Sequence, residues 1–392
     1  MAMQAVLLIL FACLTSFYLA GLFFLRRGIR RLAETPPPQP AADLPTVSII
    51  VAARNEAHNL PHLLDCLRHQ DYPRDRLHIC IVNDRSEDET AAILDKAARQ
   101  FPNIQAVHIR DTLPDFAPKK RALDAGIRAT DGELLLFTDA DCRPGKRWVQ
   151  SMVGYFRAGA NFVVGYSPYF FPRRLPGLLA GMLALDNFSL AAVAAAGAGW
   201  GRPITCTGTN LAYRRDLYER VGGFSAIGRW ISGDDDLFLN LAADSGHARF
   251  AYALDPDSFV PAAGPVTWRQ FWNQRIRYAS KSRHYRLHMT AALAGVYLFN
   301  LLLVSGMLSL LWTPSQFGFA AAAGWLLKAG LEYHFLKQAA RLFREHRLLK
   351  YFLPTQIVHP LYILLFGFLG LFARFEWKGN RFQKTGNIGQ PV

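Results

Sequence analysis

Charge is nearly absent from residues 3–25, 287–312 and 351–373, and each run is long enough to cross a bilayer as a helix. A fourth run, 316–336, is apolar but carries Lys328 and Glu332. Between residues 45 and 285 the pattern changes. Short β-rich runs at 47–52, 78–83, 104–109, 133–138 and 161–166 alternate with amphipathic stretches at 57–69, 88–100, 119–129 and 146–157. Repeated strand–helix units predict an α/β domain with a mainly parallel sheet covered by helices. In such sheets ligands bind beyond the carboxyl ends of the strands, so polar residues there are the ones to inspect.

The predicted organisation is an N-terminal transmembrane anchor (1–25), a basic, proline-rich linker (26–45) and an α/β domain (46–285). A membrane region with about three apolar segments (286–373) and a basic tail (374–392) follow. Residues 175–200 are long and apolar enough to cross, but Asp186 and Asn187 sit mid-run, where lipid penalises them. A crossing there would also separate the acidic motifs at 139–141 and 234–236. The run is therefore expected to lie buried or at the interface.

The formal net charge of +14 raises nucleic acid as a partner. The basic residues, however, gather beside the membrane runs, at 26–31, 337–350 and 374–384, as positive-inside bias requires. Membrane lipids are the expected partner and nucleic acid is not. Arg26, Arg27, Arg30 and Arg31 follow the first apolar run rather than precede it, which fits a retained anchor with a cytoplasmic flank. A multi-pass protein of the cell membrane is expected, with the α/β domain in the cytoplasm. The basic tail is also expected inside, which requires 316–336 not to make a simple crossing. Cys13, Cys66, Cys80, Cys142 and Cys206 show no metal-ligand spacing and read as free thiols.

Asp139 and Asp141 close the strand at 133–138. In an extended strand, residues two apart point the same way, so these carboxylates are expected together, suited to a divalent cation and a diphosphate. Asp84 ends the second strand, where it and Ser86 are also candidates to cap the next helix. Lys119 and Lys120 open a helix, a placement that favours a phosphate-bearing ligand. Asp234, Asp235 and Asp236 are consecutive, and such crowding is expected to raise one pKa and poise a proton acceptor. Gln274, Arg277 and Tyr278 share one helical face, where amide, guanidinium and ring can hold a diphosphate and a sugar.

The ordered motifs VAARNEA (51–57), Asp84, KKRAL (119–123), DAD (139–141), TGTN (207–210), GDD (233–235) and QRIRY (274–278) resemble family 2 glycosyltransferases of GT-A fold. The resemblance is to the membrane-bound branch with the cellulose, chitin, hyaluronan and ceramide-glucosyl synthases. It covers roughly 46–285 and, more loosely, the C-terminal apolar runs with EWKGNR (376–381). The resemblance implies a nucleotide-sugar donor, a UDP-sugar by family habit, and a lipid or glycan acceptor. It assigns Glu56, Asp84, Lys119 and Asp139 to donor binding, and Asp141 with Asp139 to Mg2+ or Mn2+. Gly208 and Asn210 would line the acceptor end, with Gln274, Arg277 and Tyr278 over the diphosphate. Asp235 matches the general base, with Asp234 as the other possible register. The family's tryptophan after Arg277 is Tyr278 here, which weakens the alternative of processive polymer synthesis. A non-catalytic nucleotide-sugar-binding partner would be expected to lack one of these acids, and none is missing.

Overall fold

The computed structural model describes residues 2–35, 44–113, 116–377 and 380–382. Helix α1 (Ala2–Ala33) carries the basic cluster Arg26–Arg31 on its own last turns, so the helix runs past the expected linker boundary. The α/β domain then proceeds as β1 (Val47–Ala53), α2 (Leu60–Arg68), β2 (Leu77–Asp84), α3 (Thr90–Gln100) and β3 (Ile104–Ile109). It continues through α4 (Pro118–Arg128), β4 (Leu134–Phe137), α5 (Trp148–Arg157), β5 (Phe162–Gly165) and the short β6 (Tyr169–Phe170). After α6 (Gly177–Ala198) come β7 (Leu211–Arg214), α7 (Arg215–Arg220), α8 (Asp236–Asp244), β8 (Phe250–Ala253) and β9 (Ala262–Ala263). The chain ends in α9 (Trp268–Ser280), α10 (Leu287–Ser309), α11 (Gln316–Phe343), α12 (Phe352–Phe372) and the hairpin β10 (Phe375–Trp377) and β11 (Asn380–Phe382).

The main sheet has the order β3-β2-β1-β4-β7-β5-β8. Strands β3, β2, β1 and β4 are parallel, as the buried β-branched runs require, with Val47 opposite both Leu77 and Leu134. Strand β7 is antiparallel to both β4 and β5, an insertion that the apolar pattern did not announce. The strand order reverses between β1 and β4, and this switch point opens a crevice at their carboxyl ends.

One sheet face is covered by α2, α3 and α5, through residues such as Leu63, Leu94 and Trp148. On the other face, Leu123 of α4, Phe188 of α6 and Phe238 of α8 share a single core with Ile29 of α1 and Phe343 of α11. The apolar helices thus extend the domain's own core rather than hang from a linker.

Among the described residues, four helical segments can cross a membrane by length and composition: Gln4–Ala33, Gly177–Ala198, Leu287–Ser309 and His346–Phe372. Contacts inside the fold constrain two of them. Helix α6 is tied to the α/β domain mid-run by the Asp186–Arg275 ion pair at 2.7 Å, with Arg275 almost fully buried. Breaking so buried a pair costs about 3–5 kcal/mol, against at most ~1 kcal/mol for an exposed one. Before α12, Phe343 packs on Tyr166 at the end of β5. At its far end, Gly370 lies against Ala279 of α9, and the Glu376 amide donates to Asn273. Both ends of α12 therefore meet the same domain. Lys328 and Glu332 in α11 are buried and paired at 2.8 Å, which removes the charge that argued against that helix in lipid.

Candidate active site

The loop after β1 is stapled to the loop after β2. Asn55, in the left-handed region at φ 53°, accepts from the Glu87 amide and donates its own amide to Ser86. The Glu56 amide donates to Thr90, and the Ala57 amide donates to Asp88. Ser86 is therefore used between loops, and Asp88, not Asp84, accepts from an amide in the first turn of α3. Asp84 is left at the crevice, held by Arg85 at 2.8 Å. Glu56 lies beside it, accepting from Asn59.

Strand β4 ends at Phe137, so Asp139 and Asp141 stand in the turn beyond it, closed by the Cys142 amide donating to Asp139 O. The expected strand geometry does not bring them to the crevice; the turn does, and both line it. Opposite stands Lys119 at the start of α4, its Nζ 2.9 Å from Asp139 Oδ1 and 2.9 Å from Asp234 Oδ2. This one ammonium joins the acidic motifs of two distant chain segments. Burial opposes the charge on Lys119, but Asp139, Asp234 and Asp235 override it and hold its pKa above the ordinary value. Lys120 points the other way. Fully buried, it donates to the carbonyls of Trp230 and Ser232, and burial lowers its pKa to about 8. It ties α4 to the loop that presents the aspartates.

That loop turns at Gly233, whose φ of 91° favours glycine and where a Cβ would collide with Leu237. Asp235 is the N-cap of α8; Oδ1 accepts from the Asp236 amide and from Lys281 Nζ at 3.0 Å, and Oδ2 accepts from the Gly208 amide. The expected rise in pKa is reversed here. Burial would raise the Asp235 carboxyl, but Lys281 and Lys119 hold it well below the usual carboxylate range. Asp236 is structural: it accepts from Thr205, the Cys206 amide, Lys281 and Tyr285. Lys281 was not singled out in the sequence, yet it follows Arg277 and Tyr278 at helical spacing and continues their face.

Gly208 fits the site by its lack of a side chain, since a Cβ would stand 3.1 Å from Asp234 Oδ2 and 3.4 Å from Lys119 Nζ. Asn210 does not line the acceptor end. It is fully buried, bonding Tyr166 O, Ser258 O and the Trp148 indole, and so pins β7 to its neighbours. Helix α9 starts with a capping box, Thr267 with Gln270, and presents Gln274, Arg277 and Tyr278 to the crevice. The Arg277 guanidinium lies 5.1 Å from the Tyr278 ring centre, and Gln274 Oε1 is buried without a hydrogen-bond partner. An amide oxygen left so suits a ligand hydroxyl.

These groups share one cavity of about 1300 Å³. Its polar end holds Asp84, Asp139, Asp141 and Asp235; its apolar end is walled by Phe17, Leu293, Val296 and Ile363 of α1, α10 and α12. Among the described residues, no group of three His, Cys, Asp or Glu side chains converges to hold a metal unaided. Two hard carboxylates beside open space fit Mg2+ or Mn2+ only if a ligand's oxygens complete the shell, which is how these ions bind with diphosphates.

Residues 48–222 match the model of glycosyl transferase family 2, and 178–369 match that of glycosyl transferase family group 2. The chain belongs to family 2 of the glycosyltransferases. It is 30% identical over 64% of its length to the probable glycosyltransferase YdaM of Bacillus subtilis, covering 58% of that protein. It is 28% identical over 64% of its length to the beta-monoglucosyldiacylglycerol synthase of Synechocystis, covering 53% of it. The chain thus spans little more than half of these two relatives. Among solved structures, the mannosyltransferase PcManGT of Pyrobaculum calidifontis, in complex with GDP-Man and Mn2+, superposes with a TM-score of 0.60 at 21% identity. That match covers 91% of this family 2 chain and 99% of the other, and it establishes the GT-A-like fold.

Proposed function

We propose that this protein is an inverting glycosyltransferase that moves a sugar from a nucleotide-diphosphate donor, a UDP-sugar, to a lipid or lipid-linked acceptor. The supporting observation is the single cavity whose polar end carries the acidic motifs and whose other end is built from apolar helices. A soluble acceptor gives no reason for that second end. Asp141 with Asp139 would hold Mg2+ or Mn2+, which when bound would supply positive charge for the departing diphosphate. Glu56, Asp84 and Lys119 hold the donor, and Gln274, Arg277 and Tyr278 cover its diphosphate. Asp235 takes the proton of the acceptor hydroxyl as its oxygen bonds to the anomeric carbon. The bond to the nucleotide diphosphate breaks with its electron pair on that leaving group, and the anomeric configuration inverts. A carboxylate held at low pKa is a weak base, but the attacking oxygen grows acidic as the new bond forms, so a weak base suffices. The test is release of nucleotide diphosphate by purified full-length protein across a panel of nucleotide sugars, with and without lipid alcohols. Release stimulated by soluble sugars and not by any lipid would overturn the acceptor reading.

Membrane topology belongs to the same proposal. The α/β domain is cytoplasmic, α1 anchors it and α10 enters the bilayer; α11, which is not among the four segments apolar enough to cross on their own, returns beside α10 with Lys328 and Glu332 buried as a pair. Helix α6 lies along the domain, because Lys119 joins acids encoded on either side of it. Helix α12 does not cross but lies at the cytoplasmic face of the bilayer, at headgroup and glycerol level, since the segments at its two ends both pack on the domain. The crossing doubt thus moves from 316–336 to 351–373, and the tail from Arg374 is cytoplasmic. Thr385, a natural probe position in the tail, lies outside the described residues. In intact cells, Thr313→Cys, in the α10–α11 loop, should react with an impermeant maleimide, while Arg374→Cys should be protected. Labelling of Arg374→Cys from outside would refute this arrangement.

A further inference from the structure

At the apolar end of the cavity lies a second polar cluster. Glu332 of α11 accepts from Tyr18 of α1, from Gln356 of α12 and from Lys328, whose Nζ is 2.8 Å away. Lys328 also donates to Gln356 Oε1 at 3.1 Å and is completely buried. Tyr18, Glu332, Gln356 and His359 all line the cavity, whereas Lys328 sits behind them. Ionisable groups among apolar helices are costly and mark functional sites unless they merely pair with one another. Pairing explains Lys328 and Glu332. It does not explain His359, whose Nδ1 is buried with no hydrogen-bond partner. Its ring is stacked on Tyr362 at 5.8 Å, a contact that leaves Nδ1 unsatisfied.

The level of this cluster follows from the neighbouring charges. His334, two residues after Glu332 and on the opposite face of α11, shares a basic belt with Arg26, Arg30, Lys337 and Arg341. Such a belt sits at lipid headgroups. By helical rise, Glu332 lies only ~3 Å further along the helix than His334, just inside that belt. Glycerol esters and hydroxyls of a bilayer lipid occupy this level.

Charge then selects the ligand. Lys328 and Glu332 cancel; Arg275, Lys119 and Lys281 are each bound to aspartates, and Arg277 lies against the Tyr278 ring on the donor side. A lipid phosphate would meet the Glu332 carboxylate rather than an open cationic site. A neutral imidazole, an amide and a phenol suit hydroxyls and ester carbonyls instead. We infer that Tyr18, Gln356 and His359, set by the Lys328–Glu332 pair, form a recognition subsite for a neutral lipid alcohol of the diacylglycerol type. The subsite rests on the transferase reading above, and it excludes polyprenyl phosphates as the preferred acceptor.

The test uses His359→Phe, which keeps the ring stack on Tyr362 and removes the unpaired nitrogen, with His359→Asn as the conservative variant. Full-length protein in detergent is given dioleoylglycerol or a polyprenyl phosphate, and both lipid-induced thermal stabilisation and sugar transfer are followed. The expected result is preference for dioleoylglycerol, with its KM raised ~3- to 10-fold in His359→Phe, as loss of one neutral hydrogen bond implies. kcat and donor affinity should hold, and His359→Asn should recover most of the loss. Unchanged KM and stabilisation in His359→Phe would overturn the subsite, as would preference for the phosphate. A drop in kcat and donor affinity together would also overturn it, since that marks a structural role. Dioleoylglycerol binding that depends on His359 without any transfer would support the subsite and sink the transferase reading alone. Neither binding nor transfer would sink both.

Discussion

Asp235→Asn should lose about 100- to 10,000-fold in transfer rate while nucleotide-sugar affinity, measured by calorimetry, stays near that of the parent protein. The substitution is mild for the fold. Asparagine is as good an N-cap as aspartate, so its one carbonyl oxygen can keep the Asp236 amide at the start of α8, while its NH2 group replaces the oxygen that accepted from the Gly208 amide and costs that one hydrogen bond. What is lost is the negative charge and the lone pair able to take a proton. In the proposed mechanism donor binding depends on other groups, namely Asp84, Lys119, Arg277 and the two acids at 139 and 141. Asp234→Asn tests the alternative register, and its carboxylate is bound to Lys119, so it should weaken the donor side instead. If Asp234→Asn is the silent binder and Asp235→Asn stays active, the base is Asp234. Full activity in both variants would remove the proposed mechanism.

The pH dependence follows from the same contacts. With its folded pKa depressed, Asp235 contributes stability above the usual carboxylate value near 3.9, lost only as pH falls through the lower, folded value. The acid limb of kcat/KM from this group should therefore lie below the ordinary carboxylate range. Lys281→Met removes the nearest ammonium and leaves Lys119 and the Asp236 amide alone against burial, so the acid limb should move upward. An acid limb that stays put would show that Lys281 does not set the charge of Asp235.

The half of the sheet from β3 to β4 was legible because β1, β2 and β4 are largely buried on both faces and read as nearly unbroken apolar runs between turn residues, with β3 as the partly exposed edge. Strand β7 was not: it is four residues long, and its place beside β4 depends on Asn210 bridging three separate segments. The same asparagine shows why motif membership is not site membership. It stands in TGTN beside Gly208, yet it holds the backbone that lets Gly208 reach Asp235. The acidic motifs were legible as strand-end residues, but Lys119 bridging Asp139 and Asp234 was not. That contact joins residues far apart in the chain, and only the folded arrangement turns three crowded carboxylates into an alternating array with Lys119 and Lys281. Spacing suggested repulsion and a raised pKa; interleaved ammonium groups produce the reverse. In the membrane region, composition counts Lys328 and Glu332 singly, and α11 is indeed not among the segments apolar enough to cross, whereas their pairing within one helix turn is legible only in the fold.

Asp141→Asn should abolish both donor hydrolysis and transfer, and excess EDTA should do the same to the parent protein. Asp141 faces the cavity in the turn after β4, and its partner carboxylate, Asp139, is already engaged by Lys119 at 2.9 Å. Asp139 alone thus offers a single carboxylate whose Oδ1 is already shared with an ammonium, too little for a hard cation that needs several oxygen ligands. Replacing Asp141 removes a full negative charge from the donor set, and asparagine returns only a neutral carbonyl oxygen. The defect should appear in the chemical step and in donor binding together, unlike the Asp235→Asn defect, because cation and diphosphate bind as a unit. Adding Mn2+ or Mg2+ back to chelated parent protein should restore turnover, and the same addition to Asp141→Asn should not. Turnover undiminished in excess chelator would show that Lys119 and Arg277 suffice for the leaving group. The carboxylates at 139 and 141 would then be donor hydrogen-bond acceptors and not ligands of an ion.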